Sequence, residues 1–527
     1  MNPHPPTGAR LVVATSGVAL ALLLAALDQT IVGTAMPRVV DELKGLDYYA
    51  WVATAYLVSS TVLVPVAGKL GDLFGRKPFV LAGMIGFMAA SALCGASQNM
   101  AELIGFRGLQ GVFGGFLFAS VFTVIRDLFP PERIGRFQGV FGGVFGLASI
   151  VGPTAGGFIT DNWGWRWVFY VNLPVGLIGL ALIVAGLPWI RSKASWRDID
   201  FLGAVTMAVG LVPLLVGLSI TRDHAWTSPQ VSGLLAFGVV MLAVFYLIER
   251  RVKEPIVPFE LFKNNAFAVS TVMGFFIAFA MFGSIIFVPL IFQGVLGVSA
   301  TNSGTLMTPM MLGLIVASII SGQAVYRIRY YRFLGTAGVA LVMVGLYLLS
   351  QVTADTVRWY VTAAIVTIGF GIGLTFPLAL IVVQAALPFR FIGVASSQVQ
   401  FWRNVGGTVG TAVLGSILAN RLPGAINDQL ASLHLPARVL AGFKGGSAQS
   451  IFDPSKAALV PAPILHAMRS ALAVTLHDIF LYSLAISSVA LIATLFLKEV
   501  PLKKEARQAP APVPEEAGAA EAEAAAP

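Results

Sequence analysis

Fourteen long apolar stretches occupy most of this 527-residue chain. Each is close to the roughly 20 residues that an α-helix needs to cross the hydrocarbon core of a bilayer. Because a spanning segment must satisfy its own backbone hydrogen bonds, these stretches predict an all-α polytopic membrane protein with 14 spans. The stretches lie at about 11–36, 50–69, 78–97, 101–125, 137–160, 166–187, 199–221, 231–249, 266–292, 302–326, 333–352, 358–386, 394–419 and 478–497.

The composition agrees with a lipid-facing surface. Only 11% of the residues are charged, whereas 57% are hydrophobic and the mean hydropathy is +0.83. A soluble globular domain carries about a quarter charged residues, so the apolar surplus must face lipid. Short segments that alternate between apolar and polar residues do not recur along the chain, which argues against an outer-membrane β-barrel.

The basic residues predict the orientation in the membrane. The net charge of +9 does not indicate nucleic-acid binding, since the basic residues are scattered over short segments between apolar stretches. With the N-terminus inside, 22 of the 34 lysines and arginines fall on the inner side. An even number of spans returns the C-terminus to that side. The positive-inside rule therefore predicts a multi-pass protein of the cytoplasmic (inner) membrane with both termini cytoplasmic.

Two segments stand apart from the spans. Residues 420–477 are interrupted by several prolines and glycines, and we expect them to form an extracellular loop of short amphipathic pieces. Residues 505–527 are rich in alanine, proline and glutamate, which is typical of a disordered cytoplasmic tail.

Three ionisable residues lie well inside spans: Asp28, Arg107 and Arg403. A charge at the centre of a bilayer costs roughly 2.5–3.5 kcal/mol on insertion scales, so such residues usually have a function. A carboxylate removed from water favours its neutral form, which makes Asp28 a candidate proton carrier and Arg107 a candidate modulator of its charge. The alternative is a static ion pair that joins two helices.

Glycine-rich motifs recur on successive spans. They are residues 68–77 (GKLGDLFGRK), 107–111 (RGLQG), 142–146 (GGVFG) and 152–157 (GPTAGG). Glycines four residues apart allow helix backbones to approach closely, and Pro153 lacks a backbone donor and should bend its helix.

These motifs resemble those of the major facilitator superfamily, in particular its fourteen-span drug:proton antiporter branch, the family of the EmrB and QacA exporters. The resemblance covers nearly the whole chain. It extends to residues 27–32 (LDQTIV) with Pro37, similar to a first-helix signature whose acid is taken to couple protons. Residues 165–176 (WRWVFYVNLPVG) and 403–407 (RNVGG) are similar to the entry of the sixth helix and to the thirteenth helix.

The resemblance implies the major facilitator fold: two six-helix bundles around a central cavity, plus two inserted helices. The expected units are an N-terminal bundle over 1–187, the inserted spans over 188–253 and a C-terminal bundle over 254–504. Two departures stand out. Gly33 replaces an asparagine found in many members, and residues 322–329 (GQAVYRIR) are a degenerate copy of the 68–77 motif, so the inner gate is expected to be asymmetric.

The resemblance also implies functional residues. Asp28 and Arg107 are expected to couple transport to protons. Asp72 and Arg76 are expected to keep the inner gate closed, and Arg76 is expected to form an ion pair with Asp127. The full set of expected gating and conformational residues is Gly68, Asp72, Gly75, Arg76, Lys77, Asp127, Gly146, Gly152, Pro153, Gly156, Gly157 and Arg403.

Polar and aromatic residues on the spans are candidates for the substrate cavity. For each aromatic residue the alternative is ordinary helix packing. The candidates are Tyr56, Phe116, Phe276, Phe287, Gln293, Phe376, Gln384, Gln398 and Trp402.

The hypothesis that follows is a proton-coupled multidrug-type efflux antiporter that works by alternating access. Its expected partners are the lipid bilayer, the proton and a small amphipathic or lipophilic substrate, with cationic compounds among them. We expect a monomer that uses the proton gradient and no cofactor; whether a periplasmic adaptor takes part stays open. Alternatives are an exporter of a lipid, siderophore or metabolite, and a membrane sensor or scaffold that does not transport.

An enzyme is the least favoured class. The chain has no nucleotide-binding loop of the Walker type, and its five histidines lack the spacing of metal ligands. We therefore expect no catalytic residues and no metal site.

Overall fold

The computed structural model describes residues 7–43, 48–129, 131–189, 199–222, 224–252, 254–298, 300–327, 331–388, 391–433 and 460–499. Within these residues the regular structure is helical and contains no strand. Fourteen helical segments are long and apolar enough to cross a membrane, which confirms the predicted number of spans.

The N-terminal half contains α1 to α7. Their bounds are α1 Ala9–Leu43, α2 Tyr49–Phe74, α3 Arg76–Ala96, α4 Met100–Leu128, α5 Pro131–Trp163, α6 Arg166–Tyr170 and α7 Asn172–Gly186. The short α6 and the following α7 together make the sixth span. In this half α1 packs against α4, α5 and α7, and α2 packs against α4.

The inserted spans and the C-terminal half contain α8 to α15. Their bounds are α8 Phe201–Ser219, α9 Pro229–Glu249, α10 Asn265–Leu290, α11 Ala300–Arg327, α12 Tyr331–Ser350, α13 Arg358–Ala386, α14 Ile392–Ala431 and α15 Ala462–Leu495. Short 3₁₀ turns lie at Ile220–Arg222 and Phe259–Lys263, and a π-helical turn at Ile291–Val295 continues α10. The two halves contact each other through α5 with α11 and through α2 with α14.

The inserted hairpin of α8 and α9 is attached to both halves. Near the end of α9, Glu254 forms an ion pair with Lys69 of α2 at 2.5 Å. At the other end of the hairpin the indole of Trp226 donates a hydrogen bond to the hydroxyl of Ser416 in α14, at 2.8 Å. The hairpin therefore packs beside the junction between α2 and α14.

The predicted loop over 420–477 is wrong at both of its ends. Helix α14 continues to Ala431 with Pro423 inside it, and α15 already begins at Ala462. The reason is apolar packing, because Ile426 and Leu430 of α14 are buried against the first turns of α15. That burial stabilises helix on either side of the proline and offsets the lost backbone hydrogen bond and the ring clash, which together cost about 3 kcal/mol.

Other predictions for the chain ends and loops lie outside the described residues. The central part of the predicted extracellular loop, residues 434–459, and the predicted disordered tail over 505–527 belong to this group.

An ion pair joins α1 to α6 just beyond the first span. The carboxylate of Glu42 is paired with Arg166 and accepts a hydrogen bond from the indole of Trp165 at 2.7 Å. The hydrogen bonds from Arg166 and Trp165 lower the pKa of Glu42 below its usual value.

Close packing of α2 against α4 depends on Gly111. A methyl group at this position would lie 2.9 Å from the Cα and 3.0 Å from the carbonyl carbon of Tyr56. Backbone atoms cannot move aside as a flexible side chain can, so only glycine fits here. Gly105, in the same helix, has open space around it.

We predict that Gly111→Val destabilises the protein and that Gly105→Val does not. Overpacking of a closely packed site costs roughly 1–3 kcal/mol. Thermal unfolding of the two variants in detergent micelles measures the difference, because both carry the same change in the same helix. Equal melting temperatures would contradict the assigned helix contact.

Candidate functional site

The deepest charges of the N-terminal half form an ion pair between α1 and α4. Asp28 is completely buried and Arg107 is 2% exposed. The Nη1 atom of Arg107 lies 2.6 Å from Oδ2 of Asp28. At this depth an unpaired charge would be costly, so each group stabilises the charged form of the other.

The second oxygen of Asp28 accepts hydrogen bonds from two amides that the sequence analysis did not select. Gln110 of α4 and Asn172 of α7 each donate to Oδ1 at 2.9 Å. Gln110 lies in the 107–111 motif and Asn172 in the 165–176 segment, but an uncharged amide lacks the large insertion cost that marks a charged residue inside a span. A search for uncharged polar residues inside spans would have found them.

A shell of further contacts holds this pair in place. The guanidinium of Arg107 lies over the ring of Tyr56 at 4.4 Å, and its Nε donates to the carbonyl of Val52 at 3.3 Å, both on α2. On the opposite side Asn172 donates to the hydroxyl of Ser91 in α3 at 3.0 Å. Five helices, α1 to α4 and α7, therefore take part in one network of contacts around the carboxylate of Asp28.

The arrangement links the charge of Asp28 to the positions of these helices. Ionised, Asp28 accepts hydrogen bonds from Arg107, Gln110 and Asn172 at once. A proton on the carboxylate would remove the negative partner of Arg107 and one acceptor site. Protonation would therefore weaken contacts that hold α1 to α4 and α7.

A second charged cluster lies where α2 ends and α3 begins. Arg76 forms ion pairs with Asp127 and, at 3.3 Å, with Asp72, and it donates to the carbonyl of Thr123 at 3.1 Å. Gly75, between the two helices, has a φ of +85°, a conformation that favours glycine. The structure thus brings Arg76 to Asp127.

Asp72 also connects the two halves of the protein. Its carboxylate accepts hydrogen bonds from the backbone N–H groups of Gly393 at 3.1 Å and Val394 at 2.8 Å, in the first turn of α14. The first N–H groups of a helix have no partner within the helix and carry its positive dipole end, so a carboxylate is stabilised there. Gly68 allows this approach, because a side chain on it would overlap Ser397 of α14.

Lys77 contacts a different helix end. Its ammonium group donates to the carbonyl oxygens of Val184 at 2.9 Å and Leu187 at 2.6 Å, at the end of α7. These carbonyls lie where a helix leaves acceptors without partners, so the contact fixes α3 to α7.

The glycines of α5 pack against neighbouring helices, with one exception. Gly152 and Gly156 lie against Thr30 and Thr34 of α1, and Gly146 lies against Ile315 of α11 in the other half. Pro153 is inside the continuous helix α5, and Gly157 faces open space.

In the C-terminal half, Arg403 of α14 is 4% exposed. Its guanidinium donates to the side-chain oxygen of Gln400 and to the backbone carbonyl of Phe376, both at 3.3 Å. It also lies 3.5 Å from the centre of the Phe376 ring. Phe376 and Arg403 line a small cavity between α10, α13 and α14.

The other aromatic cavity candidates are packed against neighbouring side chains. Among the aromatic pairs are Tyr56 with Phe87, Phe116 with Phe79, Phe276 with Phe275, and Trp402 with Phe262 and Phe401. Phe287 is buried in the core.

The glutamine candidates differ from one another. Gln384 donates to the hydroxyl of Ser396 at 2.9 Å, and Gln293 lies in the π-helical turn after α10. The amide of Gln398 is buried, and neither its nitrogen nor its oxygen has a hydrogen-bond partner among the described residues.

Comparison with known proteins agrees with the helical architecture. The family profile described as Major Facilitator Superfamily matches residues 18–411. The multidrug transporter protein MdtP of Bacillus subtilis is 42% identical over 507 residues, covering 93% of each chain. Multidrug resistance protein 3 of the same organism is 36% identical, covering 93% of this chain and 96% of its own.

Two more distant proteins are also similar. The tetracenomycin C resistance and export protein of Streptomyces glaucescens is 32% identical over 420 residues, covering 80% of this chain and 78% of its own. The crystal structure of the human organic anion transporter MFSD10 (TETRAN) matches with a TM-score of 0.61 and 14% identity, covering 91% of this chain and all of that one. At this identity the match shows a common fold alone.

We predict that Asp28→Asn destabilises the protein and that adding Arg107→Gln restores part of the loss. Breaking a buried ion pair leaves an uncompensated charge and costs about 3–5 kcal/mol, whereas neutralising both partners removes that charge. Thermal unfolding in detergent of both single variants and the double variant measures the coupling. Additive effects of the two substitutions would contradict a direct ion pair.

We predict that Asp72→Ala separates α14 from α2. Losing a carboxylate at a helix N-terminus costs about 0.5–2 kcal/mol, which raises the open population roughly two- to thirtyfold. A cysteine at Val394, which is buried, reports the opening through its rate of labelling by a water-soluble maleimide. Cys94→Ser serves as the background.

Glu254→Ala is the matched control for this measurement, because Glu254 pairs with Lys69 of α2 and not with the start of α14. Labelling that rises equally in both variants, or in neither, would contradict the role assigned to Asp72.

Proposed function

The chain belongs to the Major Facilitator Superfamily, and we propose that it exports amphipathic or lipophilic drugs in exchange for protons. Family membership makes it a membrane transporter and not an enzyme. Relatives named for multidrug transport and drug resistance support drug efflux. The observation that carries the proton coupling is the completely buried Asp28 bound to Arg107.

The proposed cycle begins with ionised Asp28. In this state its carboxylate accepts hydrogen bonds from Arg107, Gln110 and Asn172 and so holds α1 to α4 and α7. A proton that arrives from the outer side neutralises Asp28 and weakens these contacts. The bundle then rearranges, opens toward the cytoplasm, releases the proton and takes up substrate, in the alternating-access manner.

The contact between Asp72 and α14 is the proposed inner gate of this cycle. It joins the two halves at the end of α2, next to the Arg76–Asp127 ion pair. Opening toward the cytoplasm requires these hydrogen bonds to break and water to replace them. The state with Asp72 bound to α14 is therefore closed on the inner side.

The charge distribution supports a location in the cytoplasmic membrane with both termini on the cytoplasmic side. The motif with Lys69, Arg76 and Lys77 then lies at the inner face, as the proposed gate requires. We propose that the protein acts as a monomer, since the charged network and the gate are both completed within one chain.

The charge of the cargo sets the driving force. A membrane potential of ~100 mV is worth about 2.3 kcal/mol per charge, and one pH unit about 1.4 kcal/mol. If a monovalent cation leaves as one proton enters, the charges cancel and each pH unit supports about tenfold accumulation. A neutral substrate uses both contributions, roughly 3.7 kcal/mol or about 500-fold.

We predict that Asp28→Asn abolishes proton-driven efflux while substrate still equilibrates across the membrane. The amide cannot exchange a proton, so the coupling is lost, but the remaining scaffold can still alternate. The measurement is dye transport in proteoliposomes with an imposed pH gradient, beside dye exchange without a gradient.

Glu102→Gln is the control, because Glu102 is an exposed acid at the start of α4, the helix that carries Arg107. The proposal is wrong if Asp28→Asn retains gradient-driven efflux at normal protein levels, or if both variants lose it.

A further inference from the structure

Arg403 is the exception among the three arginines that are buried in the described part of the chain. Arg76 has two aspartate partners and Arg107 has Asp28, so in each case carboxylates face the guanidinium. The hydrogen-bond acceptors of Arg403 are the amide of Gln400 and the carbonyl of Phe376, both neutral. No carboxylate of the described residues lies within ion-pair distance of it.

A lone cation at this depth needs an explanation. An arginine inside a span is costly; it pairs with another charge or with backbone carbonyls and is by default part of a functional site. The contact with the Phe376 ring at 3.5 Å and two neutral acceptors offset part of that cost, but they leave the positive charge uncompensated.

The surroundings of Arg403 suit the remainder of an amphipathic molecule. The cavity beside it is lined by Met273, Ile277, Met281, Thr375 and Phe376, with Gly274 and Ala278 between them. Its accessible space is about 10 Å³, about the size of one water molecule. A larger ligand requires the cavity to widen, which methionine side chains allow because they are unbranched and flexible.

Asp28, the buried acid of the N-terminal half, does not offer a comparable negative site. Both oxygens of Asp28 are already bound, by Arg107 on one side and by Gln110 and Asn172 on the other. A cationic cargo would have to displace Arg107 from Asp28. At Arg403 an anionic cargo would displace only neutral acceptors.

We propose that Arg403 binds the anionic group of the cargo and that the preferred substrates are amphipathic organic carboxylates. A guanidinium presents a planar fork of donors that matches a carboxylate in two parallel hydrogen bonds. The apolar body of such a molecule lies against the methionines and Phe376. This inference rests on the proposed export function and replaces the expected cationic cargo by an anionic one.

The proposal changes the charge balance of transport. When a monovalent anion leaves as one proton enters, the charges add, so the cycle moves two charges across the membrane. The membrane potential then drives both the entry of the proton and the exit of the anion. Export of a carboxylate therefore depends more steeply on voltage than export of a neutral analogue.

The test uses pyrene-1-butyrate and its neutral analogue pyrene-1-butanol with the full-length protein in nanodiscs. We expect wild type to bind the carboxylate more tightly than the alcohol. Arg403→Gln should weaken carboxylate binding at least tenfold and leave alcohol binding within twofold. Arg403→Lys keeps a positive charge and should recover part of the carboxylate affinity.

Several results would overturn the proposal. Wild type could bind the carboxylate no more tightly than the alcohol, or Arg403→Gln could lose the same affinity for both ligands. A third such result is a melting temperature of Arg403→Gln far below that of wild type. The last would show a structural cation, since neutralising an uncompensated buried charge should not destabilise the fold. Chloride that stabilises wild type but not Arg403→Gln, and that pyrene-1-butyrate fails to displace, would likewise assign the site to an inorganic ion.

Transport in proteoliposomes separates this inference from the proposed function. Binding is measured without a gradient, so carboxylate binding that depends on Arg403 supports the site even if proton-driven flux is absent. Conversely, gradient-driven efflux of pyrene-1-butanol without any preference for pyrene-1-butyrate would support export and reject the anion site.

Discussion

The ion pair of Asp28 and Arg107 is the interaction on which the N-terminal half depends. Two opposite charges removed from water are stable only together, and here they come from α1 and α4. Gln110 and Asn172 complete the coordination of the carboxylate and draw α7 into the same contact. Any change in the charge of Asp28 therefore acts on the packing of several helices at once.

The contact of Asp72 with the first turn of α14 joins this half to the other. It consists of hydrogen bonds to backbone groups that water can equally satisfy, so separating the helices exposes no unsatisfied donor. An interface of this kind can open and close at modest cost. By contrast, Gly146 of α5 lies directly against Ile315 of α11 in the other half, where a side chain would overlap its neighbour. In the proposed cycle the two halves pivot on this contact.

The two halves differ in their deep charges. In the N-terminal half the buried arginines are balanced by carboxylates, whereas the acceptors that Arg403 finds among the described residues are neutral. A cavity with such an excess of positive charge favours an anionic group over a cationic one. If the two proposals hold, this asymmetry sets the choice of cargo, and the residue that carries the proton is a different one from the residue that holds the substrate.

Sequence alone determined the fourteen spans and singled out Asp28, Arg107 and Arg403, because bilayer thickness and the cost of a buried charge act on each segment separately. It also suggested the family through motifs at fixed places. Only the tertiary structure decided which groups face Asp28, that no carboxylate of the described residues lies beside Arg403, and that α14 and α15 extend into the expected loop. Those facts depend on packing between residues far apart in the chain, such as Asp28 with Asn172 and Leu430 with Met468. A local sequence pattern does not specify which distant residue a side chain contacts.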